Sequence, residues 1–173
     1  MTAKLHRYER LPESKYPIPA GLTAECGLLT VPESRSAASG NFPGDRTLQL
    51  YVTRIRSLNP HPAPDPVIFL YGGPGGNSGN FMRRLGNPAF QEMFLGRGDL
   101  IFFDQRGSGY STPELVAPAL LPVSNDALLK DLDPDERSRR YVQAALRERD
   151  RFAAAGINLA AVNTPEIVAD LED

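Results

Sequence analysis

Tryptophan is absent from the 173 residues, and the chain holds one cysteine and two histidines. The single thiol, Cys26, has no partner for an internal disulfide, so nothing marks an oxidising compartment. Cys26 reads as a small buried hydrophobe at a strand start. A thiol nucleophile would need a histidine beside it, and His6 and His61 lie in a charged and a proline-rich stretch, where solvent is the expected environment. Basic charge is not in excess either. The net charge is -2 and the sequence pI is about 5.7, so no basic face is implied and nucleic acid is not expected as a partner. No apolar run approaches the ~18–20 residues that span a bilayer, so no membrane partner is expected. The opening MTAKLHRYERLPESKYPIP carries no apolar core of a secretory signal, which predicts a cytoplasmic location.

What is present reads as one α/β domain. Hydrophobic residues make up 41%, enough for a packed core. Residues 1–23 are expected to form an irregular arm and 24–173 the core. CGLLTVP (26–32) reads as a strand ended by Pro32, and the polar 33–46 as a hairpin-like loop. TLQLYVTRIR (47–56) alternates, with Leu48, Leu50 and Val52 on one side and a wetter face of Gln49, Tyr51 and Thr53 on the other. VIFLY (67–71) and LIFF (100–103) are unalternating apolar runs, the pattern of strands covered on both faces. The stretch between them has room for a crossover helix around 80–95, which predicts a strand–helix–strand unit and a mainly parallel sheet.

Two helices follow. Asp133 is the expected N-cap of the first, with Pro134 at its first position, and Gly156 is its natural stop. Its apolar face is expected to hold Tyr141, Val142, Ala145, Leu146, Phe152 and Ala153. The second is expected to start at Thr164 and Pro165 and to pack through Ile167, Val168 and Leu171, with Asp170 and Glu172 toward solvent. It carries no stop signal before Asp173, which predicts a longer parent polypeptide.

The segment Gly72-Gly73-Pro74-Gly75-Gly76, directly after VIFLY, allows three readings. It is a tight turn, since glycine takes positive φ without a Cβ clash. It is a phosphate cradle, although a P-loop needs a lysine before its Ser/Thr and Asn77 precedes Ser78 here. Or it is an oxyanion hole, in which a bare backbone N–H meets the oxygen of a tetrahedral intermediate. The next apolar run leads into a second motif, Asp104-Gln105-Arg106-Gly107-Ser108-Gly109-Tyr110-Ser111.

GGPGG after one strand and DQRGSGYS after the next, between ECGLLTVP and NTPEIVADLED, resemble the prolyl-aminopeptidase-like serine peptidases of the α/β-hydrolase fold. The resemblance covers roughly residues 24–173 and implies the N-terminal part of that fold. It assigns the first oxyanion donor to the backbone N–H of Gly73, with Gly72, Pro74 and Gly75 shaping the loop. Tyr71 stands where the family often has histidine, and Asp104 and Arg106 read as loop anchors. It also implies serine acyl-enzyme chemistry without metal or organic cofactor, on peptides with a free N-terminus in the full-length parent.

The nucleophile of this fold sits in G-x-S-x-G. Ser78 stands in GNSGN and Ser108 in RGSGY, and no other serine fits, so nucleophile, acid and base are all missing from the sequence. The expectation is an inactive, truncated chain with self-association through an incomplete sheet. Two rivals remain: a fragment of another α/β-hydrolase, such as an esterase or epoxide hydrolase, and a non-catalytic product that binds a complementary piece.

Overall fold

In the computed structural model the described residues are 7–35, 46–72 and 76–173. Five strands form one sheet: β1 (Arg7–Leu11), β2 (Ala24–Pro32), β3 (Thr47–Ile55), β4 (Val67–Phe69) and β5 (Leu100–Phe103). Their order is β1-β2-β3-β5-β4. The pairs β1–β2, β2–β3 and β3–β5 are antiparallel, and only β4–β5 is parallel. The expected mainly parallel sheet is therefore corrected to a mostly antiparallel one with crossover helices at one end.

The reason lies in the connections. A crossover forces parallel pairing only on the two strands it joins. The apolar runs 67–71 and 100–103 are joined in that way and do pair in parallel, with Val67 opposite Leu100 and Phe69 opposite Phe102. The earlier strands follow one another as an antiparallel meander. β5 then inserts between β3 and β4, a placement no local pattern encodes. The run VIFLY is also less buried than its composition suggests: β4 is an outer strand, and Val67, Ile68 and Leu70 are exposed.

Residues 7–11, expected within the irregular arm, form β1 and pair along β2 from Arg7–Thr30 to Leu11–Cys26. On the expected wetter face of β3 Gln49 is exposed, but Tyr51, Thr53 and Ile55 are buried. Beyond Gln49, period-two alternation thus separates two cores more than core from water. On one face Tyr16, Cys26, Tyr51, Ile55, Leu100 and Phe102 pack with the crossover helices. On the other, Val31, Leu48, Leu50 and Phe103 pack with Ile167 and Leu171.

The crossover is α1 (Ser78–Met82), a 3-10 turn (Arg83–Gly86) and α2 (Pro88–Leu95). Asn87 caps α2 by accepting from the Ala89 N–H, and Pro88 opens it. Phe81 stacks on Phe69 at 3.9 Å between ring centroids and meets Phe94 edge-on, which binds the crossover to the sheet. The proline-interrupted stretch after 112 contains α3 (Leu120–Leu129).

Helix α4 (Pro134–Ala154) begins as expected, with the Asp133 side chain accepting from the N–H groups of Asp135 and Glu136. Gly156 follows it at φ 70°. Its inner face is rotated from the expected one: Phe152 is buried as expected, but Ala144 and Glu148 are buried with it, while Val142 and Leu146 are exposed. Glu148 goes inside because it accepts from the Ala119 N–H at 2.7 Å and from Arg151 at 2.7 Å.

Helix α5 (Thr164–Leu171) is capped by Asn163, one residue before the expected Thr164. Ile167 and Leu171 face the sheet, but Val168 is exposed and Asp170 is 1% exposed. The expected solvent-facing Asp170 is thus corrected to a buried residue, because two arginines reach it. Among the described residues no helix is long and apolar enough to cross a membrane.

Candidate active site

Because β4 and β5 run in parallel, both motif loops leave the sheet at the same C-terminal edge. Open α/β sheets place their sites at that edge. A cleft of about 430 Å³ lies there. Three groups line it: Tyr71, Gly72 and Gly76 after β4 make up one wall by chain origin, Gln105 to Ser108 follow β5, and Leu115, Val162 and Ile167, from later segments, make up the other wall. Of the sequence-predicted loop, Gly72 is placed on the cleft, whereas Gly73, Pro74 and Gly75 lie outside the described residues. A Cβ at Gly72 would meet nothing within 4 Å, while one at Gly76 would overlap the Tyr71 ring and come within 2.6 Å of the Gly72 carbonyl. Sterics therefore require glycine at 76 and leave 72 free.

Asp104 is fully buried and saturated with donors. Its Oδ1 accepts from the Ser78 N–H at 2.8 Å and the Ser78 hydroxyl at 2.6 Å. Its Oδ2 accepts from the Tyr16 hydroxyl at 2.6 Å and the Tyr110 N–H at 2.9 Å. Gly109, at φ 56°, permits this closure, since a Cβ there would overlap the Asp104 carboxyl. The Ser111 hydroxyl donates to the Asp104 carbonyl at 2.6 Å and accepts from the Tyr51 N–H at 2.9 Å. Burial and then the bond to Asp104 push the Tyr16 hydroxyl well above its ordinary pKa.

Arg106, two residues on, turns the other way. It binds Asp170 through both carboxylate oxygens, at 2.8 and 2.6 Å. It also donates to the carbonyls of Glu33 (2.6 Å), Ala161 (2.8 Å) and Pro32 (3.2 Å). Arg35 joins the same cluster, bonding Glu166 at 2.9 Å and pairing with Asp170 at 2.9 Å and with Asp173. Burial raises the pKa of Glu166, but the Arg35 N–H, its guanidinium and nearby Arg106 outweigh it and hold the carboxyl below its usual range.

Both charged residues of DQRGSG thus work as anchors. Their partners Tyr16, Ser78 and Asp170 escaped the sequence reading. A Tyr in the arm carries no positional signal, and Asp170 sits on a helix where a charge ordinarily means solvent. His61 is exposed in the proline-rich connection, and His6 lies outside the described residues. Cys26 is buried with a free thiol. Among the described residues, no group of three or more His, Cys, Asp or Glu is arranged to hold a metal ion.

Known proteins match part of the chain. Over 82 residues the chain is 40% identical to a proline iminopeptidase of Xanthomonas citri, and over 76 residues it is 44% identical to a proline iminopeptidase of Arabidopsis thaliana. The chain resembles the proline iminopeptidases. The matches cover 47% and 44% of this chain but only 23% and 17% of those iminopeptidases. No protein-family model matches. The resemblance is to a serine-peptidase family of α/β-hydrolase type, at moderate identity and over part of the chain. No serine of the sequence stands in G-x-S-x-G.

Proposed function

We propose that this chain carries the oxyanion side of a serine peptidase that cleaves next to a free N-terminus, as the name of its iminopeptidase relatives suggests. The observation that carries the reading is the parallel β4–β5 pair, which brings the exits of GGPGG and DQRGSG to one cleft. Had these strands paired antiparallel, the glycine segment would close a hairpin and the cleft would not form. In this reading Gly73 offers its backbone N–H to the developing oxyanion, where a preorganised donor lowers the barrier most. Leu115, Val162 and Ile167 give the facing wall an apolar surface. The nucleophile, its histidine and the acid are not among the residues of this sequence, so the 173 residues bind and orient but complete no acyl transfer.

The test is hydrolysis of prolyl-4-nitroanilide and of a nitrophenyl ester by the rigorously purified chain. No turnover is expected. Turnover that persists through purification and disappears on changing Gly73 would refute the expected inactivity of these 173 residues. Reading the coding DNA past codon 173 separates the rivals. A G-x-S-x-G within about 30 codons supports a peptidase with its nucleophile there; its absence favours a non-catalytic product that binds a complementary piece, a reading the exposed β4 edge also suits.

A further inference from the structure

We propose that Asp104 and Arg106 are positioning residues which set the two walls of the cleft independently, one residue to each wall. The proposal deepens the reading of this cleft as an active site and rests on it for its catalytic meaning.

The two side chains leave the same loop in opposite directions and share no partner. Asp104 holds Ser78, two residues beyond Gly76 of the first wall, and ties it to the arm through Tyr16. Its donors are two hydroxyls and two backbone N–H groups, with no cation among them. Arg106 holds the Ala161 carbonyl, next to Val162, and Asp170, one turn beyond Ile167. Both Val162 and Ile167 belong to the second wall. Arg106 itself is fixed to the end of β2 through the Pro32 and Glu33 carbonyls. Each wall therefore hangs from the framework by its own saturated, buried group. A half-satisfied buried group would be costly, so each arrangement favours one geometry strongly. The distance from Gly76 to Val162 and Ile167 follows from both anchors, and that distance fixes how a substrate fits between them.

Tyr16→Phe and Asp170→Asn separate the anchors. Each removes a bond from one anchor without touching a cleft-lining residue. Hydrogen exchange of the unliganded full chain reads local opening wall by wall. Losing a bond to a charged group predicts roughly 10- to 100-fold faster exchange. Tyr16→Phe should show this at residues 76–80 and leave 160–168 unchanged; Asp170→Asn should show the reverse. Should Asp170→Asn prevent folding, Arg106→Lys keeps the charge but not the forked reach, and the same pattern is expected. A rise shared by both walls, or spread to core amides such as those of Leu50 and Phe102, would mean a general structural role and overturn the proposal. So would an unchanged wall in its own variant, or loss of folding in both Arg106-side variants. Exchange needs no substrate, so a cleft that proves not to be a peptidase site would leave this pattern standing, whereas failure of the pattern leaves the peptidase reading to its own assay.

Discussion

The Tyr16 hydroxyl donates to Asp104 Oδ2 at 2.6 Å across 88 positions of sequence. The bond fastens the N-terminal arm to the loop that follows β5. Ser14 and the Lys15 N–H extend the attachment to the Tyr51 hydroxyl, at 3.2 and 2.8 Å.

Alkaline stability should depend on this bond. The Tyr16 pKa is raised in the fold from its ordinary 10.0, by burial first and by Asp104 second. The folded chain therefore keeps a proton that the unfolded chain releases. The contribution is full below the unfolded pKa of 10.0 and is lost as pH rises above it. Thermal midpoints from pH 8 to 11 should fall less steeply in Tyr16→Phe. Some slope should remain, because burial raises Tyr51 too. An identical slope in both proteins would contradict the assignment.

Acid should act through the opposite sign at Glu166. Its folded pKa lies below the ordinary 4.5, so its contribution is complete above that value and disappears as pH falls through the depressed one. Unfolding followed from pH 6 to 3 should show a smaller acid loss in Glu166→Gln. Asp99 is expected to supply part of the remainder. Burial raises its pKa, yet the Ser57 N–H and Arg54 bring it below the usual range.

Arg106 and Asp170 form a pair in which both side chains are 0% exposed. Removing one partner breaks a buried pair at a cost of up to about 3–5 kcal/mol, with the smaller loss expected when Arg106 is removed, because Arg35 still pairs with Asp170 at 2.9 Å. Urea denaturation of Arg106→Met and of Asp170→Leu should each show a loss of that order. The double variant should lose clearly less than the sum. Additive losses would mean the two groups are not coupled.

The β4 edge should drive association. Val67 and Ile68 are exposed on an outer strand and Leu70 just beyond it, and outer strands template pairing with another chain. Sedimentation at micromolar concentration should show self-association that Ile68→Lys diminishes. A monomeric wild type with a cooperative melt would count against it.

Much of the local structure was legible in the sequence. LIFF is β5, Asp133-Pro134 opens α4, and Gly156 follows its end, because period, caps and stops are properties of neighbouring residues. DQRGSG and Gly72 were legible for the same reason, and their order after two apolar runs led to the cleft. Side-chain destinations were not. Val168 was expected inside and Asp170 outside, and the structure reverses both. Helical periodicity locates a face but cannot know that an arginine from another loop waits beneath it.

The sequence by itself determined where β2, β3, β5, α4 and α5 lie, though not β1 or α3, and which two loops could carry chemistry, since those follow from backbone preferences over a few residues. Only the tertiary structure decided that three of the four strand pairings are antiparallel, that β5 lies between β3 and β4, and that Tyr16 and Asp170 are the partners of Asp104 and Arg106. The physical reason is that a buried charge needs donors or acceptors of the right kind but not from any given place in the chain. Which group supplies them is set by how the whole sheet stacks.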